Sequence, residues 1–180
     1  MKYLSIILLA WMTTFQAGQD LYICKNTGIT LFSTAPIEDI KAETTAGVSV
    51  FNAATGELNF TVLISSFRFP KSLMQEHFNS DYMESDKYPR ATFKGKIAEK
   101  IDVTKDGSYP VNVTGDLTVH NVTMKRTIPG TVIVKGGAVS MKSEFMVKCI
   151  DHHIDIPKIV FHNIAESIKM TVSANYVLNK

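Results

Sequence analysis

The stretch Val111-Asn112-Val113-Thr114-Gly115-Asp116-Leu117-Thr118-Val119-His120 decides the architecture of this chain. Its odd-numbered residues are apolar or small and its even-numbered ones polar, the pattern of a strand with one face in a core and the other in water. The same period of two runs outward in both directions. Leu58, Phe60, Val62 and Ile64 alternate with Asn59, Thr61, Leu63 and Ser65 behind a turn at Gly56, and residues 29–35, 37–45, 48–52, 91–98, 128–135, 139–149 and 168–177 fit the same template. Turn compositions punctuate the runs at Asn26-Thr27-Gly28, Ala54-Thr55-Gly56, Lys105-Asp106-Gly107 and Gly136-Gly137. The reading is an all-β antiparallel meander of about eight strands. A meander of that size removes its exposed edges by closing into a barrel, whose interior is either filled with side chains or holds one small apolar ligand.

One segment breaks the period. Across residues 71–84 the spacing is helical, with Met74, Phe78 and Tyr82 recurring every four residues beside Leu73. Pro70 precedes it, and Ser72-x-x-Gln75 has the form of a capping box. A single amphipathic helix between strands has to cover something apolar, so Met74, Phe78 and Tyr82 are read as a candidate lid over one end. Alternation assigns Val62, Ile64, Phe93, Ile97, Val113, Leu117, Val119, Phe145, Val147, Ile168, Met170 and Val172 to the inward face. None is charged. They form either a packed core or the wall of a greasy cavity, and periodicity alone does not choose between the two.

The first 18 residues are set aside as a secretory signal, leaving a single domain over residues 19–180. Lys2 supplies the positive start, residues 3–12 an apolar run interrupted by Ser5, and Ala17-Gly18 the small residues before Gln19. The run is too short to span a bilayer as a helix. Cys24 follows Leu21-Tyr22-Ile23, which lacks the small residues expected before a lipid-modified cysteine, so a soluble exported protein is expected. Cys24 and Cys149 either pair or stay free. Alternation puts Cys149 in line with Phe145 and Val147, facing inward. The charge balance, 19 basic against 17 acidic side chains in 180 residues, leaves no electrostatic footprint for nucleic acid. Asn-x-Thr occurs at Asn59, Asn112 and Asn121, of consequence only in a glycosylating pathway.

Particular residues then suggest a family. Phe67-Arg68-Phe69-Pro70-Lys71, Leu73-Met74-Gln75-Glu76-His77-Phe78, Tyr82-Met83-Glu84-Ser85-Asp86-Lys87-Tyr88-Pro89 and Phe93-Lys94-Gly95 resemble the YceI-like family. So does residues 115–123, except that Asn121 stands where glycine is usual; asparagine also tolerates a left-handed backbone. The resemblance covers roughly residues 21–177. It implies an exported bacterial protein with a lipocalin-like eight-stranded barrel that encloses a polyisoprenoid chain, and hence a periplasmic binding or carrier protein for an isoprenoid lipid of the quinone or prenyl phosphate type. The ligand positions expected from alternation are Val62, Ile64, Phe93, Leu117, Val119, Phe145, Val147, Ile168 and Met170, under the candidate lid. No cofactor, catalytic residue or stable membrane insertion is expected, and the protein is read as a monomer or homodimer.

Other chemistries have weaker footholds. Asp151-His152-His153-Ile154-Asp155, with His162 downstream, carries the ligand types of a zinc or copper site and is the basis for a metal-dependent hydrolase as an alternative. Adjacent histidines on a strand point to opposite faces, however, so the segment is read as a solvated connection and no metal is assigned. His77 on the helix and His120 on an outward strand face have no nucleophile in a recognised setting. Lys71, Lys87, Arg90 and Lys94 bracket the helix, and Lys87 and Arg90 are the candidate contacts for a charged headgroup. A further alternative is an exported stress-response or interaction module whose barrel is packed solid.

Overall fold

The computed structural model describes residues 21–34, 39–156 and 167–179. The segment read as a secretory signal and His162 lie outside these residues. Eight strands form a closed antiparallel barrel in simple sequence order: β1 (Leu21–Ser33), β2 (Ile40–Asn52), β3 (Glu57–Leu63), β4 (Arg90–Ile97), β5 (Gly107–Val119), β6 (Val122–Lys135), β7 (Ala138–Lys148) and β8 (Ser167–Leu178), with β8 pairing back onto β1. The deciding stretch is the second half of β5, in continuous register with β6 from Gly107↔Val134 to Val119↔Val122.

Two hairpins are closed by paired left-handed residues. His120 and Asn121 (φ 50° and 60°) join β5 to β6, and Gly136 and Gly137 (φ 56° and 81°) join β6 to β7. Positive φ at both central residues matches the right-handed twist of the flanking strands, so Asn121 does the conformational work of the glycine it replaces.

Three expectations about local structure need correction. Asn26-Thr27-Gly28 is not a turn. It lies inside β1 as a bulge, with the register against β2 shifting on either side of Thr27. Asparagine and glycine serve a bulge for the same reason they serve a turn, so composition does not separate the two. Residues 40–45 and 48–52 likewise belong to the single strand β2, which stays close to β1 where Gly47 meets Thr27; a Cβ there would lie 2.9 Å from the Thr27 carbonyl oxygen. The helical segment is shorter than its periodicity suggests. α1 spans Ser72–His77 and widens into a π turn over Phe78–Tyr82, and Ser72 makes no capping bond: Lys71 is the N-cap residue and the Gln75 side chain accepts from the Phe69 N–H instead.

The barrel has one packed end and one hollow end. At the packed end Tyr22, Phe51 and Tyr176 stack tilted and edge-on with centroids 6.1 and 6.2 Å apart, over Val134 and Val139. The hydroxyls of Ser49 and Tyr176 share a buried hydrogen bond of 2.6 Å, and burial pushes the Tyr176 phenol well above its ordinary pKa. Ile97 belongs to this packed end. Cys24 and Cys149 are both buried and free. Cys24 sits beside the packed end, near the level where Val139 pairs with Tyr176, whereas Cys149 is ten residues further along β7, on the order of 30 Å away at strand rise.

Candidate functional site

Beyond the packed end the interior opens into a cavity of about 500 Å³ that runs to the helix-bearing end. It is an extension of the barrel's inward row. Val62 on β3, Phe93 on β4, Leu117 and Val119 on β5, Phe145 and Val147 on β7, and Ile168 and Met170 on β8 all line it, as does Ile64, which stands in a short 3-10 turn after β3. All nine residues expected from alternation therefore face one space, joined by Val113 and Val172. Its lining is almost wholly apolar. The polar residues on the wall are Ser33, Thr61, Thr92, Thr131 and Ser143, with Lys142 on β7 and His77 and Tyr82 at the helix.

The lid residues are placed as the helical spacing requires. Met74, Phe78 and Tyr82 all border the cavity. Phe78 packs edge-on to Phe67 and tilted against Phe69, at 5.8 and 4.9 Å between ring centroids, forming an aromatic roof over Ile29, Leu31 and Val62. Burial raises the Tyr82 phenol, and His77 faces outward enough to pair with Asp81 one turn on. The helix is fastened from below: Glu43 on β2 and Arg68 exchange both backbone hydrogen bonds, at 3.1 and 2.8 Å.

The headgroup candidates lie at the rim. Lys87 is 3.5 Å from Glu84 and 4.8 Å above the Tyr88 ring, and Arg90 is exposed opposite Leu63; neither lines the cavity. Lys94 lies on the outer wall, in a shallow polar groove with Glu57 and Asp116.

The histidine cluster is solvated at His153 and Asp155 but not at His152, and its side chains do not converge. Residues Ile150–His152 form a 3-10 turn that tucks His152 completely out of solvent, with Nδ1 donating to the Val122 carbonyl (3.1 Å) and Nε2 buried without a partner. Burial, aided by nearby Arg126, holds the imidazole below its ordinary pKa. Asp151 is taken by Arg126, and His153 is exposed on a left-handed backbone. Among the described residues no three histidines, cysteines or acids converge on a point. His120 is not outward-facing either. It sits in the β5–β6 turn against the edge of Tyr88, Nε2 at 2.9 Å from the Glu84 carboxylate and Nδ1 at 3.3 Å from the His152 carbonyl. Turn chemistry, with two left-handed residues, overrode the parity that had placed it on a strand face.

Sequence reasoning missed Lys142, which borders the cavity, and the place of Arg126. Arg126 pairs with Gly115, and so falls on the inward row between Met124 and Ile128, yet its side chain leaves that row for the wall between β6 and β7. The signal was its parity with Ile128.

Comparison with known proteins places this geometry. A family model for the YceI-like domain matches residues 26–176. Protein YceI of Shigella flexneri is 33% identical over 86 residues, covering 47% of this chain and 42% of that protein, and a UPF0312 protein of Vibrio parahaemolyticus is 33% identical over 87 residues, 47% and 43%. The matched stretch thus spans under half the length of these relatives. Among solved structures, a polyisoprenoid binding domain from Saccharophagus degradans implicated in plant cell wall breakdown superposes with a TM-score of 0.75 at 11% identity, over 89% of this chain and 99% of that one. Burkholderia cenocepacia BcnA gives 0.70 at 18%, over 84% and 96%. At such identities the likeness is one of fold.

Proposed function

The chain belongs to the YceI-like family, and from that membership and the cavity together we propose that it is an exported, soluble protein that binds the tail of an isoprenoid lipid inside its barrel and acts without catalysis. The observation that carries the reading is the cavity: about 500 Å³, bounded by aliphatic and aromatic side chains from β3, β4, β5, β7, β8 and the helix. An interior with that lining offers a hydrocarbon chain contact along its length and offers a sugar or nucleotide almost no hydrogen-bond partner. It argues equally against the packed-barrel reading.

Burial of the tail supplies most of the affinity, at about 25 cal/mol per Å² of apolar surface before the costs of association and chain ordering. The ligand class is a quinone or prenyl phosphate. Its head leaves by the helix end, where Lys87 and Arg90 stand on the rim. The apolar run over residues 3–12 supports export to the periplasm, and no helix among the described residues is long and apolar enough to cross a membrane.

The test is mass spectrometry of an organic extract of natively purified protein. A polyprenoid near one equivalent is expected. A protein that carries none, and that also fails to bind a long-tailed quinone or a prenyl phosphate in titration, would overturn the proposal.

A further inference from the structure

The cavity stops at a floor. On β6 and β7 the paired residues Val134 and Val139 do not border it, whereas Val132 and Met141, the next inward pair, do. On β5 the first residue to border it is Val111, and on β3 it is Leu58, whose register partner Phe51 belongs to the aromatic plug. Beneath these four side chains the rings of Tyr22, Phe51 and Tyr176 and the buried Ser49–Tyr176 hydrogen bond fill the barrel. Among the described residues the interior is therefore blind at this end, and a ligand enters and leaves by the helix end.

A blind cavity has a depth. From Val111 to Val119 the wall on β5 advances eight residues, and from Met141 to Cys149 the β7 side advances eight as well. At about 3.3 Å per residue this is about 26 Å of strand. Strands in a closed eight-stranded sheet tilt by about 35–45°, which leaves about 20 Å along the barrel axis. An isoprene unit adds four chain bonds, about 5 Å at the roughly 1.2 Å per bond that an extended chain spans. The depth thus takes about four units.

Volume leads to nearly the same length. At roughly the 30 Å³ that a water molecule occupies in the liquid, taken for each carbon, the 500 Å³ cavity holds about 17 carbons, between three and four units of five. Depth and volume agree only for one chain laid once along the axis. A tail that doubled back would need about twice the room.

We infer that the floor makes the barrel a ruler: Leu58, Val111, Val132 and Met141 stop an isoprenoid tail after about four units, and further units stay outside the mouth. The inference deepens the carrier reading and rests on it. A unit that moves from a bilayer into the cavity exchanges one apolar surrounding for another, at little change in free energy. One that moves from a bilayer to the outside of the mouth is left in water, so selection sets in only above the length that fits.

Purified protein is equilibrated with phosphatidylcholine vesicles carrying prenyl monophosphates of two to eight units, and in a parallel series quinones of the same tail lengths. The vesicles are then sedimented, and mass spectrometry gives the ratio of protein-bound to vesicle-bound ligand at each length. That ratio should be level up to about four units and fall about a hundredfold for each unit beyond. Val111→Phe raises the floor by four heavy atoms and should lower the four-unit ligand about tenfold relative to the three-unit one. Met141→Ala frees the room of three heavy atoms and should raise the five-unit ligand about tenfold relative to the four-unit one. The break in the parent chain is a test whether or not either variant folds. A ratio that stays level through eight units would overturn the ruler and leave the carrier reading standing. A break that stays at the same length in both folded variants, or a loss equal at every length, would overturn the floor. No binding at any length in either series would overturn the carrier reading and the ruler with it.

Discussion

Substituting a carboxylate for one side chain of the cavity wall tests the ligand proposal and the inward assignment together. Met170 on β8 is half-buried, lies between Leu31 of β1 and Phe145 of β7, and borders the cavity. In the empty barrel a glutamate at that position is reached by water and ionised at pH 7. With a hydrocarbon chain beside it, the least costly course is to take up a proton, because an unpaired buried carboxylate is far more expensive. From an ordinary glutamate pKa near 4.3, protonation at pH 7 costs about 3.7 kcal/mol, and at pH 5 about 1 kcal/mol. Met170→Glu should therefore weaken binding of a long-tailed quinone about 500-fold at pH 7 and only about fivefold at pH 5, over any loss of methionine packing common to both. Equilibrium dialysis at the two pH values, read by quinone absorbance, gives both numbers. Thr171→Glu, one residue on and exposed on the outer face, should leave affinity unchanged. Unchanged affinity for Met170→Glu at pH 7, a loss that does not shrink on acidification, or an equal loss from Thr171→Glu would refute the reasoning.

Other outcomes follow from the same geometry. A Cβ on Gly115 would lie 2.3 Å from the Lys94 carbonyl oxygen and 2.4 Å from the Gly95 Cα; Gly115→Ala should force β4 and β5 apart at a cost of about 3 kcal/mol, seen as a fall of about 10 °C in the thermal midpoint. Gly28→Ala, which meets the rotatable Ser173 hydroxyl at 3.0 Å, should cost clearly less, and equal costs would contradict the close approach of the two strands. Burial lowers the His152 pKa in the folded chain, so the unfolded chain takes up the proton first as pH falls; stability should decline below about pH 6.5 by at most about 1.4 kcal/mol per pH unit until the folded value is passed. In calorimetric scans His152→Gln should flatten that window, and an unchanged slope would assign it to another group. Replacing Lys87 and Arg90 with glutamine should weaken a prenyl phosphate more than a quinone in parallel titrations; equal effects would remove these two residues from the headgroup reading.

Much of this was legible because a period of two is a statement about direction. Once residues 111–120 were read as a half-buried strand, every residue two positions on was assigned a side, and Val62, Phe93, Leu117 and Phe145 do face a common interior. What alternation does not carry is radius. The same apolar row forms a packed plug at Val134 and Val139 and a cavity wall at Phe145 and Val147, and nothing in their types distinguishes the two. Local chemistry with more than one outcome was the other source of error. Asn26-Thr27-Gly28 suits a bulge as well as a turn, and His152 beside Asp151 and His153 has the polarity of a surface segment although its ring is fully buried. Two signals for the parting of β6 from β7 beyond Gly130↔Ser143 were present and silent: Pro129 inside a strand run, and Arg126 on the parity of Ile128.

The contrast between packed and hollow ends has a cause in the ladders. Two hairpins, β2–β3 and β6–β7, zip from their turns at the packed end and then separate. β2 and β3 are paired from Phe51↔Leu58 only to Val48↔Thr61, and β6 and β7 from Lys135↔Ala138 only to Gly130↔Ser143. Past those points each gap takes an insert: the Ile64–Ser66 turn and the Glu43–Arg68 bridge beside β2, and the Ile150–His152 turn beside β6. An eight-stranded barrel has an interior that side chains can fill or that holds one small ligand. Parting the wall twice at one end widens it there without lengthening any strand, and the aromatic roof of Phe67, Phe69 and Phe78 spans one opening while Arg126 spans the other. The two openings differ in what closes them. The first is shut by apolar packing; the second is held by an arginine on a bare carbonyl and a carboxylate. The barrel is thus closed by apolar contacts at one parting of its wall and by charge-assisted hydrogen bonds at the other.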